Sequence, residues 1–208
     1  MSSVQVFYRH NGGATDLVGV YDGDRIKAHS ARIRNEIATL EPNIIYRIYV
    51  RGPTFESLEV VLQEIDKAKA DEVFQIIIKT RDFQKAINIH TAIQYLQVEP
   101  EQSRVVGHLH GYITHQLVNP DEMVAVYLTY GNPHHLFHKV FTVMLHDIAW
   151  RQVKGRIPQW QGDLLKEASL RYPALDIAIK NKVIEVSREE ERKEEQARKK
   201  AARDAGGN

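Results

Sequence analysis

The stretch Thr15–Leu40, TDLVGVYDGDRIKAHSARIRNEIATL, constrains this chain more than any other. Leu17, Val18, Val20 and Tyr21 form a mostly apolar run suited to a buried strand. Asp22-Gly23 follows, and glycine's tolerance of positive φ makes the pair a hairpin signal. Arg25–Ala28 then alternates polar and apolar residues, as a second strand would. From His29 onward Ile33, Ile37 and Leu40 recur at the helical period. The stretch therefore predicts strand, tight turn, strand and helix within one supersecondary unit.

Upstream, Val4, Val6 and Tyr8 alternate with Gln5, Phe7 and Arg9, which predicts an amphipathic strand ended by Asn11-Gly12-Gly13. A strand near a terminus has unpaired backbone groups. It either joins its own sheet or pairs with a partner chain.

Downstream, Pro42-Asn43 breaks the chain, and Ile44–Val50 is a β-branched and aromatic strand. Thr54 is placed to cap a helix whose stripe is Phe55, Leu58, Val61, Leu62 and Ile65. Val73–Ile78 reads as a strand buried on both faces. A helix follows with Phe83, Ala86, Ile89, Ala92, Ile93 and Leu96 on one side. The next helix carries Val105, Val106, Leu109, Ile113 and Leu117. Its Gly107 and Gly111 each cost about 1 kcal/mol against alanine, which points to close approach of a neighbouring helix.

Asn119-Pro120 and Asn132-Pro133 both read as capped helix starts, followed by Met123, Val126 and Tyr127 and by Leu136, Val140, Phe141, Met144, Leu145 and Ile148. Arg151–Ala178 predicts one short helix in irregular chain. From Ser187 the composition turns charged, with Ser187 and Glu190 spaced as a capping box and Glu189–Lys193, Glu194–Arg198 and Glu195–Lys199 as i,i+4 pairs. Lacking an apolar stripe, that segment predicts a solvated helix or a disordered tail. The domain reading is 1–118, a helical extension over 119–186, and the charged segment 187–208.

Composition excludes several function classes. Lysine and arginine total 28 against 27 acidic residues, a formal charge of +1, which gives no expectation of nucleic acid or anionic membrane as partner. There is no cysteine, so disulfides, thiolate zinc sites and cysteine nucleophiles are out. No signal segment and no apolar run of membrane-spanning length are evident, which predicts an intracellular protein, nuclear or cytoplasmic. His134 and His138 stand i,i+4, but no carboxylate sits between them as it does in a zincin. With no GxGxxG, P-loop or GxSxG, the expectation is a protein without metal, cofactor or active site.

Several of these segments resemble the BTB/POZ family. Asp16-Leu17-Val18 and Ala28-His29 match its opening signature, with Ile33 where the signature has leucine. The strand Ile44–Val50, the turn Gly52-Pro53-Thr54 and the pair Phe55 and Leu58 follow in order. Ala92 with Tyr95-Leu96-Gln97 resembles the family's later helix, and Ala149-Trp150 the last helix of compact fungal-type members. The resemblance spans residues 4–150. Two places depart from it: Gln63-Glu64-Ile65 replaces a Tyr-Thr-Gly type ending, and Ser30 replaces the basic residue that family dimers pair with the signature aspartate.

The resemblance implies an α/β (α+β) fold, a small mixed sheet flanked by helical hairpins with an α-helical C-terminal extension. It implies a non-enzymatic protein–protein interaction module, a homodimer or a scaffold of a larger transcriptional or chromatin-linked complex. In long-form members a leading strand pairs with the partner subunit, so the implied interface is Val4, Val6, Tyr8, Asp16, Arg32, Ile33 and Glu36. The alternative is a substrate adaptor of a cullin-type ubiquitin ligase. That role uses an apolar-x-acid element after the Phe55 helix, and Ile65-Asp66-Lys67 and Ala70-Asp71-Glu72 match it poorly.

Overall fold

The structure, a computed structural model, describes residues 2–78, 80–100 and 103–206. The chain is a mixed α+β protein of two compact units, Met1–Leu109 and His110–Asn208.

In the first unit β1 (Ser3–Arg9) and β2 (Thr15–Asp22) form an antiparallel hairpin, and β3 (Ile45–Val50) runs parallel to β1, giving the order β2-β1-β3. The N-terminal strand is thus the central one, paired on both sides within its own chain. The register shifts between Val6 and Phe7, where Val18 is the extra residue of a bulge. The bulge turns Val18 into the core and leaves Leu17 opposite Phe7. Gly19 is required here because a Cβ would meet the Tyr21 hydroxyl at 2.5 Å. Burial pushes that hydroxyl up to about 12, with Glu59 and Asp66 adding to the shift.

The predicted hairpin at Asp22-Gly23 does not form. Asp22 instead caps α1 (Gly23–His29), its carboxylate accepting the N–H groups of Asp24 at 2.9 Å and Arg25 at 3.1 Å. An aspartate that can satisfy orphan helix donors outweighs the turn preference of the Asp-Gly pair. Gly23 itself is buried against Ser2. The segment read as a second strand is therefore helical, burying Ile26 and His29 three apart.

Ser30 ends α1 and caps α2 (Ala31–Ala38), which buries Ile33 and Ile37. Thr54 caps α3 (Phe55–Lys67) as expected, its hydroxyl accepting Ser57 N–H at 3.3 Å. Asp82 caps α4 (Phe83–Leu96). Between them Val73–Ile78 is not a strand. Ile76 and Ile78 are buried and Val73 and Ile77 exposed, but the segment joins no ladder. Side chains anchor it, as where the Phe74 ring meets the edge of His29 at 4.6 Å.

Helix α5 (Ser103–His115) contains the division between the units. A Cβ on Gly107 or Gly111 would meet nothing within 4 Å among the described residues, so neither glycine admits a close neighbour.

In the second unit α6 (Pro120–Tyr130) has the predicted start, with a complete capping box between Asn119 and Glu122. Asn132-Pro133 starts no helix. The Asn132 side chain accepts His134 N–H at 3.0 Å in a turn, and α7 (His138–Val153) begins later without a side-chain cap. The region read as mostly irregular holds α8 (Gln159–Leu170) and the first turns of α9 (Pro173–Gly206).

Ser187 lies inside α9, so the capping box predicted there is absent. The helix runs on because Leu175 and Val186 bury one side of it against the unit's other helices. Among the α9 residues whose burial is described, Glu190 is the last that is not exposed, and it pairs with Lys154 and, at 2.8 Å, with Lys193. Beyond it the charged segment is a solvated helix to the limit of the described residues.

Hydrogen bonds from Lys154 and Lys193 pull the Glu190 carboxyl down from 4.5 to about 2. A folded-state pKa below the unfolded one stabilises above pH 4.5 and loses that effect as pH falls toward 2. Between pH 5 and pH 2 the wild type is expected to lose more melting temperature than Glu190→Gln. Equal losses would show that the α7–α9 tie has no energetic weight.

Candidate docking surface

The helices of the first unit cover one face of its sheet, where Val4, Val6, Ile48 and Val50 are buried. The other face is open. Its residues form cross-strand rows: Leu17, Phe7 and Tyr49; Val20, Gln5 and Arg47; Asp22, Ser3 and Ile45. Val20 is 55% exposed, Leu17 48%, Ile45 46% and Tyr49 43%. Phe7 and Tyr49 stack with centroids 5.4 Å apart, and the Arg9 guanidinium lies over the Tyr49 ring at 5.1 Å. The rows leave several large apolar side chains of this small sheet in water.

The residues implied as an interface by the family resemblance fall elsewhere. Val4, Val6 and Ile33 are fully buried in the core. Tyr8 is half-buried, edge-on to Phe55 at 6.1 Å and to His10 at 4.9 Å. The Asp16 carboxylate meets His10 Nε2 at 2.8 Å, not Arg32. The Arg32 guanidinium lies 3.9 Å from the centre of the Tyr95 ring, and Glu36 is half-buried on α2. Among the described residues no ion pair links Asp16 to α2.

Of the two elements implied for cullin contact, Ala70-Asp71-Glu72 is exposed, whereas the first two residues of Ile65-Asp66-Lys67 are engaged within the chain. Ile65 is buried, and the Asp66 side chain accepts Asp22 N–H at 2.8 Å while its carbonyl takes the Arg25 guanidinium.

Sequence reasoning missed the open face because Leu17–Tyr21 reads as buried by composition. The available signal was β3, where Ile45 and Tyr49 alternate with Tyr46, Ile48 and Val50. A strand apolar on both sides needs two covering layers, and the first unit supplies helices for one.

The histidines mostly make local contacts. His29 Nε2 bonds the Lys69 carbonyl at 2.7 Å, His138 Nδ1 the Tyr130 carbonyl at 2.9 Å, and His135 Nδ1 accepts Phe137 N–H at 3.1 Å. Burial lowers the pKa of both His135 and His110. Among the described residues no three His, Asp or Glu side chains group to hold a metal.

Each unit also has an open groove of about 430 Å³. One lies over Val60, Ile76, Ile78 and Ile89, the other between α6 and α8 over Val124 and Leu128. Among the described residues no helix is long and apolar enough to cross a membrane.

The chain matches no family model, no curated protein and no solved structure among those compared.

Proposed function

We propose that this chain is a non-enzymatic protein–protein interaction module of BTB/POZ type, working as a homodimer. The observation that carries the reading is the open sheet face, whose β2 half presents Leu17 at 48% and Val20 at 55% exposure. Burying two such patches against each other removes apolar surface from water at about 25 cal/mol per Å². Helices that cap cleanly and a central strand paired on both sides make the surface a rigid one to dock on. The cullin-adaptor reading gains no support from Ile65 and Asp66, both engaged inside the chain.

Light scattering on the intact chain is expected to give twice its 23.9 kDa mass. Leu17→Lys combined with Val20→Lys is expected to halve the measured mass without changing the circular dichroism spectrum. A wild type of single-chain mass would remove the homodimer.

A further inference from the structure

The β3 half of the open face differs from the β2 half in charge, and its backbone forms an open sheet edge. Arg47 and Arg51 flank Tyr49 on the chain, Arg9 covers its ring, and none of the three makes an ion pair among the described residues. The nearby carboxylates are engaged: Asp22 caps α1, and Asp16 meets His10.

The backbone of β3 adds direction. Ser3 N–H donates to the Ile44 carbonyl at 2.8 Å, and with the parallel register this turns the peptide groups of Tyr46, Ile48 and Val50 toward β1. Those of Ile45, Arg47 and Tyr49 point away. The ends of that outward row are closed by side chains: Arg51 N–H donates to the Tyr95 hydroxyl at 3.2 Å, and Ile45 N–H leans on Asn43 Oδ1 at 3.4 Å. Arg47 and Tyr49, between them, have no outward backbone partner among the described residues.

We propose that this edge binds an extended acidic peptide segment, which adds as a fourth strand to β3 and sets carboxylates against Arg47 and Arg51. The inference rests on the docking reading above and names a second partner for the same face. Charge and backbone decide the occupant. A second copy would bring its own Arg47 and Arg51 against these, and like charges on adjacent strands repel. Single-stranded nucleic acid would satisfy the charge, but it has no peptide groups to pair with the edge. It would also find Tyr49 already stacked on Phe7 and covered by Arg9. An extended peptide uses both features, its backbone giving affinity and its alternate side chains selectivity.

The test is fluorescence anisotropy on the intact chain with three labelled probes: an eight-residue peptide alternating glutamate and valine, its lysine counterpart, and a ten-nucleotide oligothymidylate. The glutamate peptide alone is expected to bind, with affinity falling as salt rises. Arg47→Glu is expected to weaken binding at least tenfold, and Arg51→Glu, a second exposed position, to weaken it several-fold. Arg47→Pro is expected to weaken binding more than Arg47→Gln, since it removes an outward N–H that the β1 ladder does not use.

Binding of the lysine peptide or of oligothymidylate as tight as that of the glutamate peptide would overturn the proposal. So would indifference to both Arg47→Glu and Arg51→Glu. A chain that dimerises through Leu17 and Val20 yet ignores the glutamate peptide would overturn this inference alone and leave the homodimer standing.

Discussion

Val6→Asp is expected to unfold the Met1–Leu109 unit, whereas Val20→Asp, on the opposite face of the same sheet, is expected to leave the unit folded and to cost only the dimer contact. Val6 is fully buried on the central strand, with Gly19 beside it on β2 and Ile48 on β3. Replacing it removes about 1.5–3 kcal/mol of apolar burial. It also buries a carboxylate without a partner, a penalty of several kcal/mol more. Together these approach the whole stability of an ordinary domain, about 5–15 kcal/mol. Val20 pairs with Gln5 and is exposed within its own chain, so a carboxylate there stays hydrated in the folded single chain.

Hydrogen exchange of the β1–β3 amides separates the two outcomes. Val6→Asp is expected to abolish protection across all three strands and Val20→Asp to preserve it. Protected strands in Val6→Asp would mean that β1 is a dispensable extension rather than the centre of the sheet. The same logic makes removal of residues 2–9 a loss of fold, not merely a loss of dimer.

Why the sequence left two pairings open for β1 is a matter of which information is local. Its alternation of Val4, Val6 and Tyr8 with Gln5, Phe7 and Arg9 identifies a strand and its buried side, and both are as expected. Sheet order depends on which neighbours pair, and a 2-residue period says nothing about that. Helix stripes were more legible, since α3 and α4 bury the apolar positions that periodicity picked out, with only Phe55 of α3 left half-buried. Their caps at Thr54 and Asp82, and that of α6 at Asn119, were equally readable, because a cap needs only residues within one turn.

Asp22-Gly23 and Asn132-Pro133 misled for the converse reason. Each pair supports two local structures, and tertiary packing chose between them: Gly23 lies against Ser2, and the Asn132 turn leads to His135, whose ring packs on Tyr130. The open sheet face was invisible for a related reason. Apolar composition predicts burial, and only the count of covering layers shows which apolar residues are left in water.

Ser30→Ala is expected to destabilise the first unit by about 2–4 kcal/mol, and Ser30→Arg to prevent its folding. Ser30 is fully buried at the junction of α1 and α2. Its hydroxyl donates to the Leu96 carbonyl at 2.7 Å and accepts Ile33 N–H at 3.2 Å. The same junction is bonded along the backbone to the end of α4, Ala31 N–H to the Gln97 carbonyl at 3.1 Å and Glu99 N–H to the His29 carbonyl at 2.8 Å. Gln97 holds the left-handed conformation, φ 51°, that turns the chain into this contact.

Alanine removes an N-cap, about 1 kcal/mol, and leaves a buried carbonyl without its donor, about 1–3 kcal/mol more. Threonine retains the hydroxyl and is expected to recover most of the loss. Arginine tests the departure from the BTB/POZ pattern directly, because this chain has no solvent-facing space after His29 for the basic residue that family dimers carry there. Urea denaturation of the three variants orders them Thr, Ala, Arg by falling midpoint. A stable, folded Ser30→Arg chain would mean that this junction opens to solvent and that α1, α2 and α4 are not clasped at Ser30.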